Sequence, residues 1–215
     1  MFERRLSDRA LKAAFSRYTS YTMDTRNRIT AAVRAAFEQK GLEGLSMRDI
    51  AKAVGVTPMA IYRHFESKQA LIDMLVLDAL EEWSAMVAAI PPAPPLEWLH
   101  QIGAAHLDFA LLRPRRYEAA FLLHSEKARR YPDDFVAGRS PAGRLQLRLL
   151  EELAAQGGLP AHAPVEILIA NVGLSQGLIT LYRAGRISGG EAEFRELYLR
   201  ATHRLLEAFL TEGQE

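Results

Sequence analysis

A short segment in the first third of the chain concentrates side chains that bind phosphate groups. Thr57 and Tyr62 carry hydroxyl groups, Arg63 and Lys68 are cations, and the ring of His64 carries an N–H donor. Donors of these kinds make most of the contacts between proteins and the phosphates of DNA. Their clustering indicates a DNA-contacting surface. The alternative for Tyr62 and His64 is simple packing at the end of a helix.

Small and apolar residues stand between these polar groups. Met59 and Ala60 offer apolar surface to the methyl group of thymine, and the short side chain of Ala60 permits close approach to a base edge. Arg63 can reach either a phosphate or a base edge. This mixture favours the reading of a DNA sequence over catalysis.

Two short helices joined by a tight turn would present these residues, and the sequence carries the signals for both. Ser46 is a candidate N-cap for the first helix, with Asp49 three residues later, as in a capping box. Gly55 supplies the backbone freedom that a sharp turn needs, and Thr57 followed by Pro58 is a typical helix start. The residues expected to face the core are Ile50, Ala51, Val54, Ile61 and Phe65. A helix-turn-helix places its second helix in the major groove of DNA.

The charge of the chain is unevenly distributed although its net value is only +1. Residues 1–70 carry 13 Lys and Arg against 7 Asp and Glu, whereas residues 71–215 carry 14 against 19. A basic region is the electrostatic footprint of phosphate binding. The alternative is a chance drift of surface charge, but the excess coincides with the helix-turn-helix signals.

The composition argues against disulfide-stabilised, membrane-spanning and secreted proteins. The chain has no cysteine, which excludes a disulfide framework and thiolate metal sites and fits a reducing compartment. No uninterrupted apolar run approaches the roughly 18 residues of a membrane-spanning helix. The first residues, MFERRLSDRALKAAF, are charged throughout, unlike a secretory signal. We therefore expect a cytoplasmic protein without a membrane partner.

Hydrophobic periodicity predicts an all-α chain. The Pro-rich run at 91–95 marks a linker between two domains, and the polar stretch at 130–141 is expected to be a long, mobile loop. The helices predicted by periodicity and by helix stop signals are 25–40, 46–53, 57–64, 67–89, 96–112, 115–127, 142–156, 163–184 and 190–211.

The first residues have two possible interpretations. Residues 2–18 place apolar residues at helical spacing with arginines and a lysine between them. They could form an amphipathic helix or arm that touches DNA, as basic N-terminal arms do. The alternative is a partly disordered tail.

The stretch GLEGLSMRDIAKAVGVTPMAIYRHFESKQALID (41–73) resembles the DNA-binding region of the TetR family of bacterial transcriptional regulators. The resemblance implies an all-helical, two-fold dimer. An N-terminal three-helix bundle with the helix-turn-helix would bind operator DNA, and a larger helical domain would bind a small molecule and dimerise. We accordingly divide the chain into a basic extension (1–24), a DNA-binding domain (25–70) and a ligand-binding and dimerisation domain (71–215).

The C-terminal part is more weakly similar to the AcrR-like branch of that family. HLDFALLRPRRYEAAF (106–121) resembles the central helices of the ligand domain, and QGLITLYRAGR (176–186) resembles a signature that usually contains Trp-x-x-x-His-Gly. Val172 and Gln176 replace the Trp and the His here. The class of ligand therefore does not follow from the resemblance.

The residues expected to contact DNA combine side-chain chemistry with family position. Arg48 matches a family position that can reach guanine bidentately, although a solvated surface charge is an equal alternative, and Thr25 and Arg28 are expected at the DNA backbone. The full set is Thr25, Arg28, Ser46, Arg48, Thr57, Pro58, Met59, Ala60, Tyr62, Arg63, His64 and Lys68.

The second domain offers candidates for a ligand pocket and for a dimer interface. Aromatic walls with a few polar groups are typical of ligand pockets. The candidate pocket residues are Trp98, His106, Phe109, Tyr117, Phe121, His124, Asn171, Gln176 and Tyr182. The last two helices are expected to dimerise, with close approach at Gly173, Ser175 and Gly177 and apolar area from Leu174, Leu178, Leu181, Leu205 and Phe209.

One pattern suggests an enzyme instead. Gly173–Gly177 reads G-x-S-x-G, and acidic residues and His203 follow in the order found in α/β-hydrolases. That motif needs a preceding strand, whereas the residues before it have helical spacing. The histidines include no close pair for a metal, and no nucleotide-binding loop is present.

The sequence thus predicts a non-enzymatic regulator without cofactor or catalytic residues. We expect a repressor that binds a near-palindromic operator as a homodimer and is released by an unidentified small molecule. The alternatives are the G-x-S-x-G hydrolase and a DNA-binding regulator with no small-molecule inducer.

Overall fold

The fold was derived from a computed structural model, which describes residues 8–159 and 163–212, with side chains for 24–159 and 163–210. Every regular element within those ranges is a helix, and they contain no β-strand. This confirms the all-α prediction. A short 3₁₀ turn, Gly41–Gly44, separates the first two α-helices.

Ten α-helices account for the described part of the chain. In order they are α1 (Asp8–Lys40), α2 (Met47–Val54), α3 (Pro58–Tyr62), α4 (Lys68–Ala88), α5 (Pro95–Leu112), α6 (Pro114–Phe121), α7 (Asp133–Val136), α8 (Pro141–Ala155), α9 (Ala163–Arg183) and α10 (Glu191–Glu212). Two compact units result, Met1–Met74 and Leu75–Glu215, and the unit boundary falls within α4.

The first unit is built around apolar residues from each of its helices. Their burial removes apolar surface from water and holds the two short helices, which could not form alone. The predicted core face of the helix-turn-helix is confirmed. The buried hydrophobic residues described in this unit are Ile29, Val33, Phe37, Leu45, Ile50, Ala51, Val54, Ile61, Phe65 and Leu71.

The predicted caps of the helix-turn-helix are present. The Ser46 hydroxyl accepts a hydrogen bond from the Asp49 backbone N–H at 3.4 Å, and the Thr57 hydroxyl accepts one from the Ala60 N–H at 3.3 Å. Gly55 ends α2 with φ at +74°, a left-handed conformation that glycine adopts without strain. The turn between the two helices is therefore fixed by local chemistry as well as by the core.

The first helix is longer than predicted. It is described from Asp8 rather than from Thr25, and residues 8–40 contain neither proline nor glycine to end it. Residues 1–7 and the side chains of residues 8–23 lie outside the described part of the structure. The proposed contact of this basic extension with DNA falls on them.

Helix α6 is shorter than predicted, and the loop after it is more ordered. It ends at Phe121 instead of residue 127, and the Ser125 hydroxyl accepts a hydrogen bond from the Lys127 N–H at 2.9 Å. Such local side-chain bonds compete with helical hydrogen bonds. The stretch predicted to be a mobile loop contains α7, and Phe135 on that helix is only 5 % exposed.

The second unit packs α5, α8, α9 and α10 against one another, with α6 against α5 and α7 against α8. Its core is rich in aromatic side chains, including fully buried Phe109, Tyr117, Phe194 and Tyr198. Helix α9 is the one described helix that is long and apolar enough to cross a membrane, and only 22 % of its most apolar stretch is buried.

The left-handed turn at Gly55 gives the first testable expectation. A Cβ atom at this position would meet no neighbouring atom, so substitution acts through the backbone alone. We expect Gly55→Ala to lower the free energy of unfolding by about 1 kcal/mol because φ is positive. Gly55→Asn should cost less, since asparagine tolerates this region. Urea unfolding of both variants checks this, and an equal loss for both would contradict it.

Candidate nucleic-acid interface and ligand cavity

Helix α3 presents the predicted recognition residues on its outer face. The side chains of Met59 and Tyr62 are 67 % and 48 % exposed, whereas Ile61 and Phe65 are 0 % and 4 % exposed. Thr57, Pro58 and Arg63 are also exposed, and Ala60 and His64 are half-buried. The helix thus has one face in the core and one face available to a partner.

The caps leave hydrogen-bonding capacity for that partner. A hydroxyl that accepts a hydrogen bond still has its own proton to donate. Thr57 and Ser46 accept from backbone N–H groups and can still donate to a phosphate. Lys68 begins α4, and its Nζ donates to the Leu42 carbonyl at 3.4 Å, which leaves further N–H groups free because an ammonium has three.

Arg48 lies exposed in the first turn of α2. Neither Arg48 nor Arg63 forms an ion pair with any residue that the structure describes. Both guanidinium groups therefore remain available to bind phosphate or a base edge.

Two arginines of α1 bind the ends of the helix-turn-helix. Arg28 donates to the carbonyl of Val54, the last residue of α2. Arg26 donates to the His64 carbonyl at 3.1 Å, and its guanidinium lies 4.8 Å from the centre of the Phe65 ring. Cations bind the free carbonyls at helix C-termini favourably. Arg26 was not among the predicted residues, because its partner is a backbone carbonyl that leaves no pattern in the sequence.

Thr25 differs from the other predicted DNA contacts. Its side chain is 4 % exposed because it shares the core-facing side of α1 with Ile29, four residues later. The Thr25 side chain therefore packs in the core, and the expected contact of Thr25 with the DNA backbone stays a prediction. Arg28 is exposed, but its guanidinium already binds Val54.

The second unit contains a cavity of about 110 Å³ among α4, α5, α6, α7, α8 and α9. Its apolar wall includes the aromatic side chains of Trp83, Phe121, Tyr131 and Phe135. Its polar lining consists of His106, Arg129, Ser140, Gln146, Asn171, Ser175 and Gln176. The combination of aromatic walls and a few polar groups is that of a small-molecule site.

Four of the nine predicted pocket residues line this cavity, namely His106, Phe121, Asn171 and Gln176. Phe109 and Tyr117 pack behind the wall, with ring centres 6.3 and 5.0 Å from that of Phe121. Tyr182 stacks on Phe194, and His124 and Trp98 also lie away from the cavity.

The remaining wall residues were missed for identifiable reasons. Trp83 belongs to α4, where its spacing marks it only as an apolar helix position. Tyr131 and Phe135 belong to the stretch expected to be a mobile loop (130–141), and Arg129 lies between that loop and the predicted helix 115–127. Their contribution depends on how that stretch folds back on the cavity, which periodicity does not encode.

A hydrogen-bonded network of neutral groups forms one side of the cavity. His106 Nδ1 lies 3.2 Å from the Tyr198 hydroxyl, which is also hydrogen-bonded to Ser175. Burial lowers the pKa of His106 to about 4, and burial raises the pKa of Tyr198 to about 12. Both side chains are therefore uncharged at neutral pH.

This network also overturns the alternative of a hydrolase. Ser175 lies in the middle of α9, and no strand occurs in either described range. A G-x-S-x-G nucleophile stands at a turn between a strand and a helix. Ser175 is 5 % exposed and bonded to Tyr198, so it does not face a dimer partner as predicted either.

No metal site is evident in the part of the chain with described side chains, where no group of three or more His, Asp or Glu residues comes together. His100 and His203 do stack, with ring centres 3.7 Å apart. Burial, and next the nearby His203, lower the pKa of His100, while Glu207 opposes the shift.

Comparison with known proteins matches both units. Residues 29–75 match the family model described as bacterial regulatory proteins, tetR family. Residues 99–205 match the model described as tetracyclin repressor-like, C-terminal domain. The two matched segments contain the helix-turn-helix and most of the cavity wall.

Individual relatives agree with the family match. The regulator UidR of Escherichia coli K12 is 36 % identical over 76 residues, which are 35 % of this chain and 36 % of UidR. The match thus spans about a third of the length of that relative. The repressor KstR2 of Mycolicibacterium smegmatis is 25 % identical over 150 residues, 66 % of this chain and 71 % of KstR2.

A solved structure extends the likeness to most of the chain. A protein of unknown function from Rhodococcus sp. RHA1 superposes with a TM-score of 0.69 at 21 % identity. The superposition covers 86 % of this chain and 95 % of the other. At this identity the likeness shows the fold.

The buried His106 predicts a specific dependence of stability on pH. The unfolded chain takes up a proton near pH 6.5, whereas folded His106 takes it up only near pH 4. Above pH 6.5 His106 is neutral in both the folded and the unfolded chain, so its protonation does not lower the free energy of unfolding there. The contribution of His106 to that free energy falls between pH 6.5 and 4 by a total of a few kcal/mol.

Urea unfolding at pH 7, 6 and 5 measures this effect. His106→Gln keeps a hydrogen-bonding side chain but has no proton to take up, so its stability should fall less steeply over this range than that of the wild type. His124→Gln, at an exposed position, is the matched control and should behave as the wild type does. Identical pH profiles for the wild type and His106→Gln would rule out the effect.

Proposed function

The chain belongs to the TetR family of bacterial regulatory proteins, and on that premise we propose that it is a DNA-binding transcriptional regulator. Members of this family bind operator DNA as dimers, and some bind small-molecule effectors. In this proposal the protein is a cytoplasmic homodimeric repressor that a small molecule releases from a near-palindromic operator. KstR2, a relative, is a repressor by name, which supports this direction of regulation.

The observation that carries the proposal is the two-faced helix α3. Its core face is buried through Ile61 and Phe65, while Met59, Tyr62 and Arg63 stand on the outside. A helix held in this way can enter the major groove without giving up its own packing. The predicted contacts at Ser46, Arg48, Thr57, Pro58, Ala60, His64 and Lys68 remain part of the proposal, as does Arg28.

Helix α9 supports dimerisation. An apolar stripe along it, formed by Ile169, Gly173, Gly177 and Leu181, is exposed at every fourth residue. Ile169 and Leu181 are 41 % and 44 % exposed, and a Cβ atom at either glycine would meet open space. Large exposed apolar stripes mark interaction surfaces. A partner helix can approach the glycines closely, and α10 would add Leu205 and Phe209.

A paired α9 also accounts for its apolar composition without a membrane. The other side of the helix carries buried Asn171 and Ser175 and packs within the second unit. Only the apolar stripe is left exposed to water, and a second copy of the chain would bury it in a dimer interface. This favours a cytoplasmic dimer over a membrane protein.

The proposed release mechanism uses α4. This helix begins at Lys68 beside the recognition elements in the chain and carries Leu80 and Trp83, which line the cavity. A ligand that binds better to one position of α4 would favour that position over the DNA-competent one. Ligand and operator then oppose each other through one reciprocal coupling free energy. A regulator without an inducer is the alternative.

Selection of bound duplexes from a random pool, followed by a compound screen on the winning site, tests the proposal. We expect a near-palindromic site with half-sites one helical turn apart, about 34–36 Å. We also expect at least one compound that binds the cavity to release it. Failure to bind any duplex at low salt would contradict DNA binding, and binding without any releasing compound would support the inducer-free alternative.

The salt dependence of operator binding tests the cationic side chains. Replacement of Arg63 or Lys68 by Ala should weaken binding to all duplexes and lower the slope of log K against log salt by about 0.9 for each phosphate that is no longer neutralised. Arg148→Ala removes an exposed charge from α8 and should leave the slope unchanged. An unchanged slope for both Arg63→Ala and Lys68→Ala would contradict their proposed role.

The glycines of α9 allow a test of the dimer. Gly177→Arg places a bulky cation in the apolar stripe, yet the monomer has room for it and gains helix propensity. We expect the variant to be monomeric in analytical ultracentrifugation, with unchanged helical circular dichroism and at least tenfold weaker operator binding. Ala155→Arg, at an exposed position of α8, should stay dimeric. A dimeric Gly177→Arg would exclude this face.

A further inference from the structure

We propose that the cavity of the second unit binds a small aromatic carboxylic acid that also carries a hydrogen-bond donor. Arg129 binds the carboxylate, Asn171 accepts the hydrogen bond, and the aromatic wall contacts the ring. The inference rests on the proposed function, because it names the class of effector for the cavity that the proposal assigns.

The charge on the cavity wall comes from one residue. Arg129 is the only Lys, Arg, Asp or Glu among the described residues that line the cavity, and it is half-buried. His106 and Tyr198 are neutral at pH 7 and add no charge. A partly desolvated guanidinium is costly without a partner, and a carboxylate matches its planar set of donors. The electrostatics of the wall therefore favour an anion.

Arg129 also interacts electrostatically with Asp134, but the carboxylate of Asp134 already has two other hydrogen-bond donors. One of its oxygens accepts the Arg130 backbone N–H at 2.8 Å, and the other accepts the Arg139 side chain at 2.6 Å. The backbone bond from Arg130 is the main reason that the pKa of Asp134 lies below its usual range, and Arg139 and Arg129 add to it. Arg139 neutralises this carboxylate, so Arg129 contributes an excess positive charge at the cavity.

A buried acceptor in the same cavity lacks a donor. The Oδ1 atom of Asn171 has no hydrogen-bond partner among the residues that the structure describes, and Asn171 is only 8 % exposed. Other amides on the wall are engaged, since Gln176 bonds Tyr131 and Gln146 donates to the Ala142 carbonyl at 3.2 Å. A buried, unsatisfied acceptor costs free energy that a ligand O–H or N–H group would recover. The unsatisfied Asn171 acceptor therefore favours a ligand that carries a hydrogen-bond donor in addition to its acid group.

The shape and lining of the cavity favour a single ring. Trp83 and Phe121 form an apolar part of the wall, with ring centres 6.0 Å apart and ring planes at 76° to each other, and Phe135 adds to it. The volume of about 110 Å³ is of the order at which an apolar protein cavity takes up benzene. Aromatic rings pack well against such side chains.

The test uses the three isomers of hydroxybenzoate, the three matching hydroxybenzamides and benzoate, with the full-length protein and no DNA. Dissociation constants come from calorimetry. We expect at least one hydroxybenzoate to bind at least tenfold more tightly than its amide and than benzoate. Equal affinity for acid and amide, or no binding by any of the three acids, would overturn the inference.

Three variants assign the two contacts. Arg129→Gln should abolish the preference for acid over amide, whereas Arg130→Gln, the neighbouring arginine outside the cavity wall, should keep it. Asn171→Leu should remove the preference for hydroxybenzoate over benzoate and, since it deletes an unsatisfied polar group, raise the unfolding temperature of the free protein. If Arg129→Gln still prefers acid over amide and Asn171→Leu still prefers hydroxybenzoate over benzoate, the assignment is overturned. A misfolded variant is distinguished from these outcomes because it would bind none of the compounds.

Failure of this inference and failure of the proposed function give different results. Arg129-dependent binding of acids by a protein that binds no duplex would support the inference and refute the regulator. Release of a selected operator by neutral compounds alone, with no binding of the acids, would support the regulator and refute the inference.

Discussion

The burial of Ile61 and Phe65 is the constraint on which the DNA-facing surface depends. Helix α3 has five residues, far fewer than an isolated helix needs to be stable in water. It persists because these two side chains are almost completely buried and because Thr57 caps its first turn. Every outward-facing group on α3 takes its direction from these contacts. A substitution that removed the packing of Ile61 and Phe65 would therefore unfold α3 and destroy the DNA-facing surface without changing any residue on that surface.

The sequence predicted the elements that depend on local chemistry. The caps at Ser46 and Thr57, the turn at Gly55 and the core face of the helix-turn-helix all follow from neighbouring residues, and the structure confirms them. The features that depend on distant residues were not predictable. The order around Phe135 and the part played by Arg26 result from tertiary contacts, which have no sequence period.

The cavity shows why residue type alone separates a site from a core poorly. Phe121 lines the cavity, whereas Tyr117, four residues earlier on the same helix, packs behind it. Both are aromatic and lie at helical spacing, so only the arrangement of the surrounding helices distinguishes them. Membership of a family of regulatory proteins does confirm the prediction that the chain is not an enzyme. Ser175, the apparent nucleophile, serves as a hydrogen-bond partner of Tyr198 instead.

The exposed glycines and leucine of α9 have a consequence for dosage. If two copies must meet along this helix before either can hold its operator, occupancy at low cellular abundance rises with the square of the number of free chains. A cell that halves its supply of this protein would then lose about three quarters of the assembled species in the dilute limit, by mass action alone. The steepness of such a response would be set by Gly173, Gly177 and their neighbours rather than by any residue that touches DNA.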